Sequence, residues 1–401
     1  MSSLKKVYCR AFQYGLNVAS RLIYWRKPLV VRGAGSRRKL PELFRELNTK
    51  RVLVVTGRHV GQSIAPGIIA DLESAGIVSF LFAEVEANPT TAVVTRIVEL
   101  YKKENCGGFL AIGGGSPIDA AKAAAALIAR PNKTLGQMAG LLKVLKKLPP
   151  LIAVPTTAGT GSETTIAAVI TDSDTHHKYA VMDVALVPRY AVLDPELTCS
   201  LSPKLTAATG MDALTHAVEA YLCVTNRTKE VDRLAAEASV TVFRYLERAY
   251  RDGNDMEARE AMLNASFKAG FAFSRSGVGN VHAIAHTLGG LYGTAHGLAN
   301  AVILPIVLED YGSAVYHRLA KLSELCGVAQ DRDEEAGAKA FIAEIYAMNE
   351  RMGIPKGFDF IREEDIPQMV EWALHEANPI YPVPVIYDEK RCTEVIHKIM
   401  L

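Results

Sequence analysis

Residues 109–122 read Phe109-Leu-Ala-Ile-Gly-Gly-Gly-Ser-Pro-Ile-Asp-Ala-Ala-Lys122: an apolar run, three glycines, then an alanine-rich segment. Phe109 to Ile112 have strand character, the glycines permit a sharp turn, and the alanines favour a helix. Ser116 reads as the N-cap, Pro117 as the first helical residue and Asp119 as the partner in a capping box. Open N–H groups at such a helix start, with the helix dipole, favour a phosphate or pyrophosphate. The spacing is not G-x-G-x-x-G, and the loop follows the fourth strand of a series, so a tight structural turn is an equal reading of this stretch alone.

Working outward, residues 28–195 alternate short β-branched runs with longer helical ones. Strands are expected at Leu29–Val31, Val52–Thr56, Val78–Ala83, Phe109–Ile112, Leu151–Val154, Ala168–Thr171 and Tyr190–Leu193, with helices near 39–47, 61–75, 90–104 and 117–130. This alternation predicts a mostly parallel sheet covered on both faces, which binds ligands at the carboxyl ends of its strands. A second loop of small residues, Pro155-Thr-Thr-Ala-Gly-Thr-Gly-Ser-Glu163, leaves such an end and strengthens the case for a dinucleotide site. Beyond Pro203 nearly every segment reads as helix, for example 204–223, 228–251 and 257–275, placing a boundary near 198–202. Two globular halves with a cleft between them are expected.

The balance of 45 basic to 43 acidic residues gives no reason to expect nucleic acid, and no apolar run is long enough for a membrane span. Six dispersed cysteines without a C-x-x-C pair suit a reducing, cytoplasmic setting rather than a disulfide framework. Residues 1–27 mix Lys5, Lys6, Arg10, Arg21, Arg26 and Lys27 with Phe12, Leu16, Leu22, Ile23, Tyr24 and Trp25. They read as an N-terminal helical extension packed on its own protein or a subunit partner, with a membrane-surface role as the alternative.

In the helical half, Asp212 and His216 are four apart, as are His282 and His286, and His296 opens a further helix. Each pair projects from one helix face. Any one of these histidines by itself reads as an ordinary core or surface residue. Three imidazoles with one carboxylate, however, form a donor set for iron(II) or zinc and a poor one for calcium or magnesium.

On Gly113-Gly-Gly-Ser-Pro-Ile-Asp119, Pro155-Thr-Thr-Ala-Gly-Thr-Gly161, Gly210-Met-Asp-Ala-Leu-Thr-His216, His282-Ala-Ile-Ala-His286 and His296-Gly297, the sequence resembles the metal-dependent, iron-containing alcohol dehydrogenase family over residues 28–401. The resemblance implies a Rossmann-like α/β dinucleotide-binding domain at 28–199 and an all-α, dehydroquinate synthase-like metal-binding domain at 200–401. It implies hydride transfer between NAD(P)(H) and a small primary alcohol or aldehyde, in a homodimer or higher homo-oligomer. It assigns one divalent metal, iron(II) before zinc, to Asp212, His216, His282 and His296, and a proton relay to His286. It assigns cofactor contacts to Gly114, Gly115, Ser116, Thr156, Thr157 and Lys178, with Asn88 and Asp119 lining the cleft.

One departure bears on the cofactor. Many relatives carry an aspartate after the second strand, where it would bind the adenosine ribose; here the residues are Val54-Val-Thr-Gly57-Arg58. Gly57 removes the carboxylate and Arg58 could meet a 2′-phosphate, which favours NADP over NAD. A dehydroquinate synthase-like cyclase or lyase would handle phosphorylated polyols, yet residues 276–301 hold no lysine or arginine. A noncatalytic relative would not need the intact Asp/His/His/His set.

Overall fold

In the computed structural model, which describes residues 3–21, 23, 25–175, 177–329 and 333–401, the chain divides into two compact units. One is Tyr24–Ser200; the other joins Met1–Ile23 to Leu201–Leu401.

The first unit holds nine strands among the described residues: β1 (Leu29–Arg32), β2 (Arg51–Val55), β3 (Val78–Phe82), β4 (Gly108–Gly113), β5 (Gly140–Leu141), β6 (Leu151–Pro155), β7 (Ala167–Thr171), β8 (Lys178–Met182) and β9 (Tyr190–Leu193). Six of them form a sheet in the order β1-β9-β6-β4-β2-β3, every pair parallel. Period-two alternation explains the two faces. Leu53, Val55, Phe109 and Ala111 enter one apolar cluster, whereas Val52, Val54, Leu110 and Ile112 enter the other. From β2 the chain proceeds to β3 on one side, and from β4 to β6 on the other, so β2 and β4 flank the point where the strand order reverses. Strands β5 and β8, absent from the sequence reading, join β7 in a small second sheet.

Helices in this unit are α2 (Leu40–Glu46), α3 (Arg58–Ser63), α4 (Ala65–Ser74), α5 (Thr91–Lys103), α6 (Gly115–Ala129) and α7 (Leu135–Met138), numbered after α1 (Ser3–Arg21) of the other unit. The expected helix at 61–75 is two helices, separated at Ile64, because Pro66 cannot continue a preceding hydrogen-bond ladder. The N-terminus of α6 also departs from expectation. Its N-cap is Gly114, with no side-chain cap, so Ser116 is the second helical residue rather than the cap and Pro117 the third rather than the first. Asp119 completes no capping box; its carboxylate accepts from Ser162 and from the backbone N–H of Val169.

The second unit is helical: α8 (Pro203–Leu222), α9 (Lys229–Arg251), α10 (Met256–Ser276), α11 (Asn280–Tyr292), α12 (His296–Tyr311), α13 (Tyr316–Cys326), α14 (Glu334–Arg351), α15 (Ile366–Ala377) and α16 (Glu389–Lys398) follow one another. Ser202, Thr228 and Asp255 cap α8, α9 and α10 by accepting from Leu205, Val231 and Ala258. Ala217, Ala238 and Ala269 meet in a buried seam of small side chains, which lets these three helices approach closely. Helix α8 also packs on α12, and α11 on α12 and α15.

Candidate metal centre and dinucleotide loops

Helices α8, α11 and α12 bring Asp212, His216, His282 and His296 together: one ligand atom from each lies within 4.8 Å of the others. Asp212 and His216 share a face of α8, His282 lies in the first turn of α11, and His296 opens α12. Nε2 of His296 is 3.5 Å from Oδ1 of Asp212. The His216 ring stacks on Phe273 at 4.1 Å and lies 4.5 Å from the ring of His282. Gly297 fixes the approach of α12 to α8, since a Cβ there would stand 2.3 Å from the carbonyl oxygen of Ala208.

Burial, reinforced by neighbouring His216, His296 and His286, holds the His282 imidazole well below its ordinary pKa, so it is neutral and offers a lone pair. Its Nδ1 is 2.6 Å from Oε2 of Glu219, a carboxyl that also accepts from the backbone N–H groups of Gly279 and Val281, each at 2.8 Å. Burial pushes Glu219 up, to about 8, against these three donors. A cation at Nε2 would acidify the ring N–H and favour the ionised carboxylate, with Nδ1 donating.

The donor set fits a divalent first-row metal on a further observation. Nδ2 of the fully buried Asn300 donates to Oδ1 of Asp212 at 2.7 Å and also stands 3.1 Å from Nε2 of His296 and 3.3 Å from Nε2 of His282. Its own Oδ1 is buried without a hydrogen-bond partner. Three candidate ligand atoms thus crowd one amide nitrogen that carries two hydrogens, and a bound cation would take up the lone pair left over when both ring nitrogens are unprotonated.

His286, one turn after His282, stacks beside His296 at 5.1 Å. Its Nδ1 is 2.7 Å from Oε1 of Glu376, which also accepts from the Tyr381 hydroxyl. Burial raises the Glu376 carboxyl, but His286 and Tyr381 outweigh it and hold the group below its ordinary value.

In the α/β unit, Gly57 and Gly113 leave adjacent parallel strands two residues beyond the paired Val55 and Ala111. Gly113 has φ 144°, which a side chain would strain. The loop after β6 packs on the loop after β4. Thr156 N–H donates to Gly113 O at 3.0 Å, and a Cβ on Gly114 would lie 3.3 Å from Thr157 Oγ1. Ser116 is half-buried in the first turn of α6. Oδ1 of Asn88 accepts from Lys178 Nζ at 2.8 Å. Arg58 is exposed at the head of α3, and a Cβ at Gly57 would meet Val85 O at 2.9 Å, so an aspartate there would require the backbone to shift.

Beneath these loops lies a buried charge that the sequence reading did not single out. Nζ of Lys122 donates toward Ser162 Oγ (3.2 Å), Thr165 O (3.0 Å), Thr165 Oγ1 (2.9 Å) and Ala167 O (2.8 Å), with Asp119 Oδ1 at 3.9 Å. Burial lowers Lys122 to about 8 and raises Glu163 to about 7. Glu219, Asn300 and Glu376 were missed as well. Glu219 stands seven residues after Asp212 and Asn300 four after His296, spacings that place each on its ligand's helix face; Glu376, distant in sequence from His286, gave no local signal.

Two family models match this chain: iron-containing alcohol dehydrogenase over residues 28–195, and the C-terminal domain of the Fe-containing alcohol dehydrogenase family over residues 206–400. An NAD-dependent methanol dehydrogenase of Bacillus methanolicus is 36% identical, covering 87% of this chain and 92% of that protein. A 1,3-propanediol dehydrogenase of Citrobacter freundii is 36% identical over 88% and 92%. The crystal structure of a 1,3-propanediol oxidoreductase superposes with TM-score 0.91 at 33% identity, covering 95% of this chain and all of that one. A sulfoacetaldehyde reductase from Bifidobacterium kashiwanohense in complex with NAD+ superposes with TM-score 0.83 at 30% identity, over 94% and 98%.

Proposed function

Because the chain belongs to the iron-containing alcohol dehydrogenase family, we propose that it interconverts a small primary alcohol and its aldehyde with NAD(P)(H), at a metal centre built from Asp212, His216, His282 and His296. The carrying observation is the convergence of one carboxylate and three imidazoles within 4.8 Å. Bound there, iron(II) or zinc would supply a Lewis acid that lowers the pKa of the alcohol hydroxyl and polarises the aldehyde carbonyl.

The chain's own groups prepare that chemistry. Glu219 holds His282 Nδ1 so that Nε2 faces Asp212 and His296, and the Phe273 stack fixes the plane of His216. Asn300 donates to Asp212 and keeps its carboxylate turned inward. His286 carries the hydroxyl proton outward, with Glu376 and Tyr381 orienting the ring and stabilising its protonated form. Open N–H groups at Gly114, Gly115 and Ser116, at an N-terminus with no side-chain cap, bind the cofactor pyrophosphate, and Thr156 and Thr157 line the same turn. Lys178, held by Asn88, offers the cofactor a cation; Asp119 acts through Ser162 and Val169 as a brace.

For the dinucleotide, Gly57 leaves no carboxylate to repel a 2′-phosphate and Arg58 lies exposed beside it, which favours NADP over NAD. A homo-oligomer suits β1, an edge strand that pairs only with β9 among the described residues. Six cysteines with no disulfide between them suit the cytoplasm.

The test is chelation, reconstitution with iron(II) or zinc, elemental analysis, and an aldehyde panel followed by NADPH and NADH absorbance. The reading requires turnover that returns with metal. In His282→Ala, metal content should fall and kcat/KM should drop by roughly 10³-fold or more, about 4 kcal/mol. Turnover that survives this substitution, or no turnover with any aldehyde, would overturn it.

A further inference from the structure

Helix α1 (Ser3–Arg21) is docked inside out. Its polar side faces the protein: Gln13, 1% exposed, donates to Tyr381 O at 2.7 Å and Pro379 O at 3.1 Å. Asn17 donates to Thr225 O at 2.7 Å, and Arg10 to Pro384 O at 3.0 Å. Its apolar side faces outward. Leu4, Val7, Tyr8, Tyr14 and Val18 are each more than half exposed, and Phe12 is exposed as well. At 3.6 residues per turn they fill one continuous arc of about 160°, with Lys5 on one border and Arg21 and Arg10 on the other. Amphipathic helices of soluble proteins turn the apolar stripe to the core, so this face is made to meet something else.

Charge identifies the occupant. Helix α1 contains four lysines and arginines and no aspartate or glutamate, whereas the rest of the chain carries 41 basic and 43 acidic residues. A second copy docked through the same face would bring two such cationic segments together, since a two-fold contact is self-facing and α1 offers no acid to pair with. An anionic bilayer supplies both needs, an acyl boundary for the apolar arc and phosphates for its basic rim, with tyrosines at the headgroup level. Among the described residues no helix is long and apolar enough to cross a membrane. We propose that α1 seats the protein on the surface of an anionic phospholipid bilayer, lying in its plane.

The test uses the full, metal-loaded chain, because Gln13 braces Tyr381 and deletion of α1 would disturb the helical unit. Sedimentation is measured with phosphatidylcholine vesicles with and without phosphatidylglycerol. Binding should be about tenfold tighter or more with phosphatidylglycerol, and should weaken as salt rises. The pair Val7→Asp and Val18→Asp should abolish it while aldehyde turnover in solution stays unchanged. Lys5→Gln with Arg21→Gln, which leaves the apolar arc intact, should lower it severalfold and serves if the first variant does not fold. Absence of binding to phosphatidylglycerol vesicles by active protein overturns the proposal. So does ultracentrifugation showing that the Val7/Val18 variant splits a dimer while neither form binds lipid, which would assign the face to a second copy.

Discussion

The Lys122 cluster and the histidine centre are both buried and polar, yet they are balanced by opposite means. Around Lys122 the cation is part of the chain: four oxygens surround Nζ, and Asp119 stands at ion-pair distance. Around His282 the Asn300 amide donates to Asp212 and stands beside the Nε2 atoms of His282 and His296, with no cationic side chain of the chain among them. The first cluster carries its own cation; the second groups a carboxylate and three imidazoles that could hold one from solution.

The sharpest way to break this contrast is Lys122→Met, which strands the Asp119 carboxylate and its neighbours. It should cost about 3 kcal/mol of stability, read as a lowered denaturation midpoint, while metal content per folded chain is unchanged. A variant that instead loses metal would show that the two clusters are not independent. Glu219→Gln makes the reciprocal test: metal affinity should fall about 10- to 100-fold by competition with a chelator, with a small change in thermal midpoint.

Titration separates the clusters further. Below pH 4.5 Glu163 is protonated in folded and unfolded chains alike. Between its ordinary 4.5 and its folded value of about 7, the unfolded chain gives up a proton that the fold keeps, so stability falls as pH rises, by up to about 1.4 kcal/mol per unit. Lys122 works the other way, and stability rises from about 8 toward its ordinary 10.5. Glu163→Gln should flatten the lower window of a plot of thermal midpoint against pH and leave the upper one. A slope that persists between 4.5 and 7 would place the proton elsewhere. The smallest expected effect is Arg58→Ala, a severalfold rise in KM for NADPH with KM for NADH unmoved; equal changes for both would remove Arg58 from phosphate recognition.

The parts of the molecule legible in the sequence were those with a short period. Apolar runs such as Val52 to Thr56 and Phe109 to Ile112 announced the sheet, because buried parallel strands need no polar alternation. The i, i+4 pairs Asp212/His216 and His282/His286 announced the histidine centre, because helical spacing alone puts each pair on one face. Strand β8, Lys178–Met182, escaped because a lysine and a tyrosine interrupt its apolar character. The cap of α6 was misplaced because a glycine N-cap leaves no side-chain signature, whereas Ser116 and Asp119 imitate one. Glu376 and Lys122 owe their environments to segments remote in the chain, His286 and Tyr381 for one, Ser162 to Ala167 for the other, and no local pattern encodes such meetings.

Gly297 sets a limit on redesign. With only 2.3 Å between a virtual Cβ and the Ala208 carbonyl, any larger residue would act as a wedge, lifting the helix that begins at His296 away from the one that carries Asp212. Libraries aimed at new alcohols therefore have to spare this position even though it need touch no substrate: a methyl group here would be read out first as lost metal, and only through that as lost turnover.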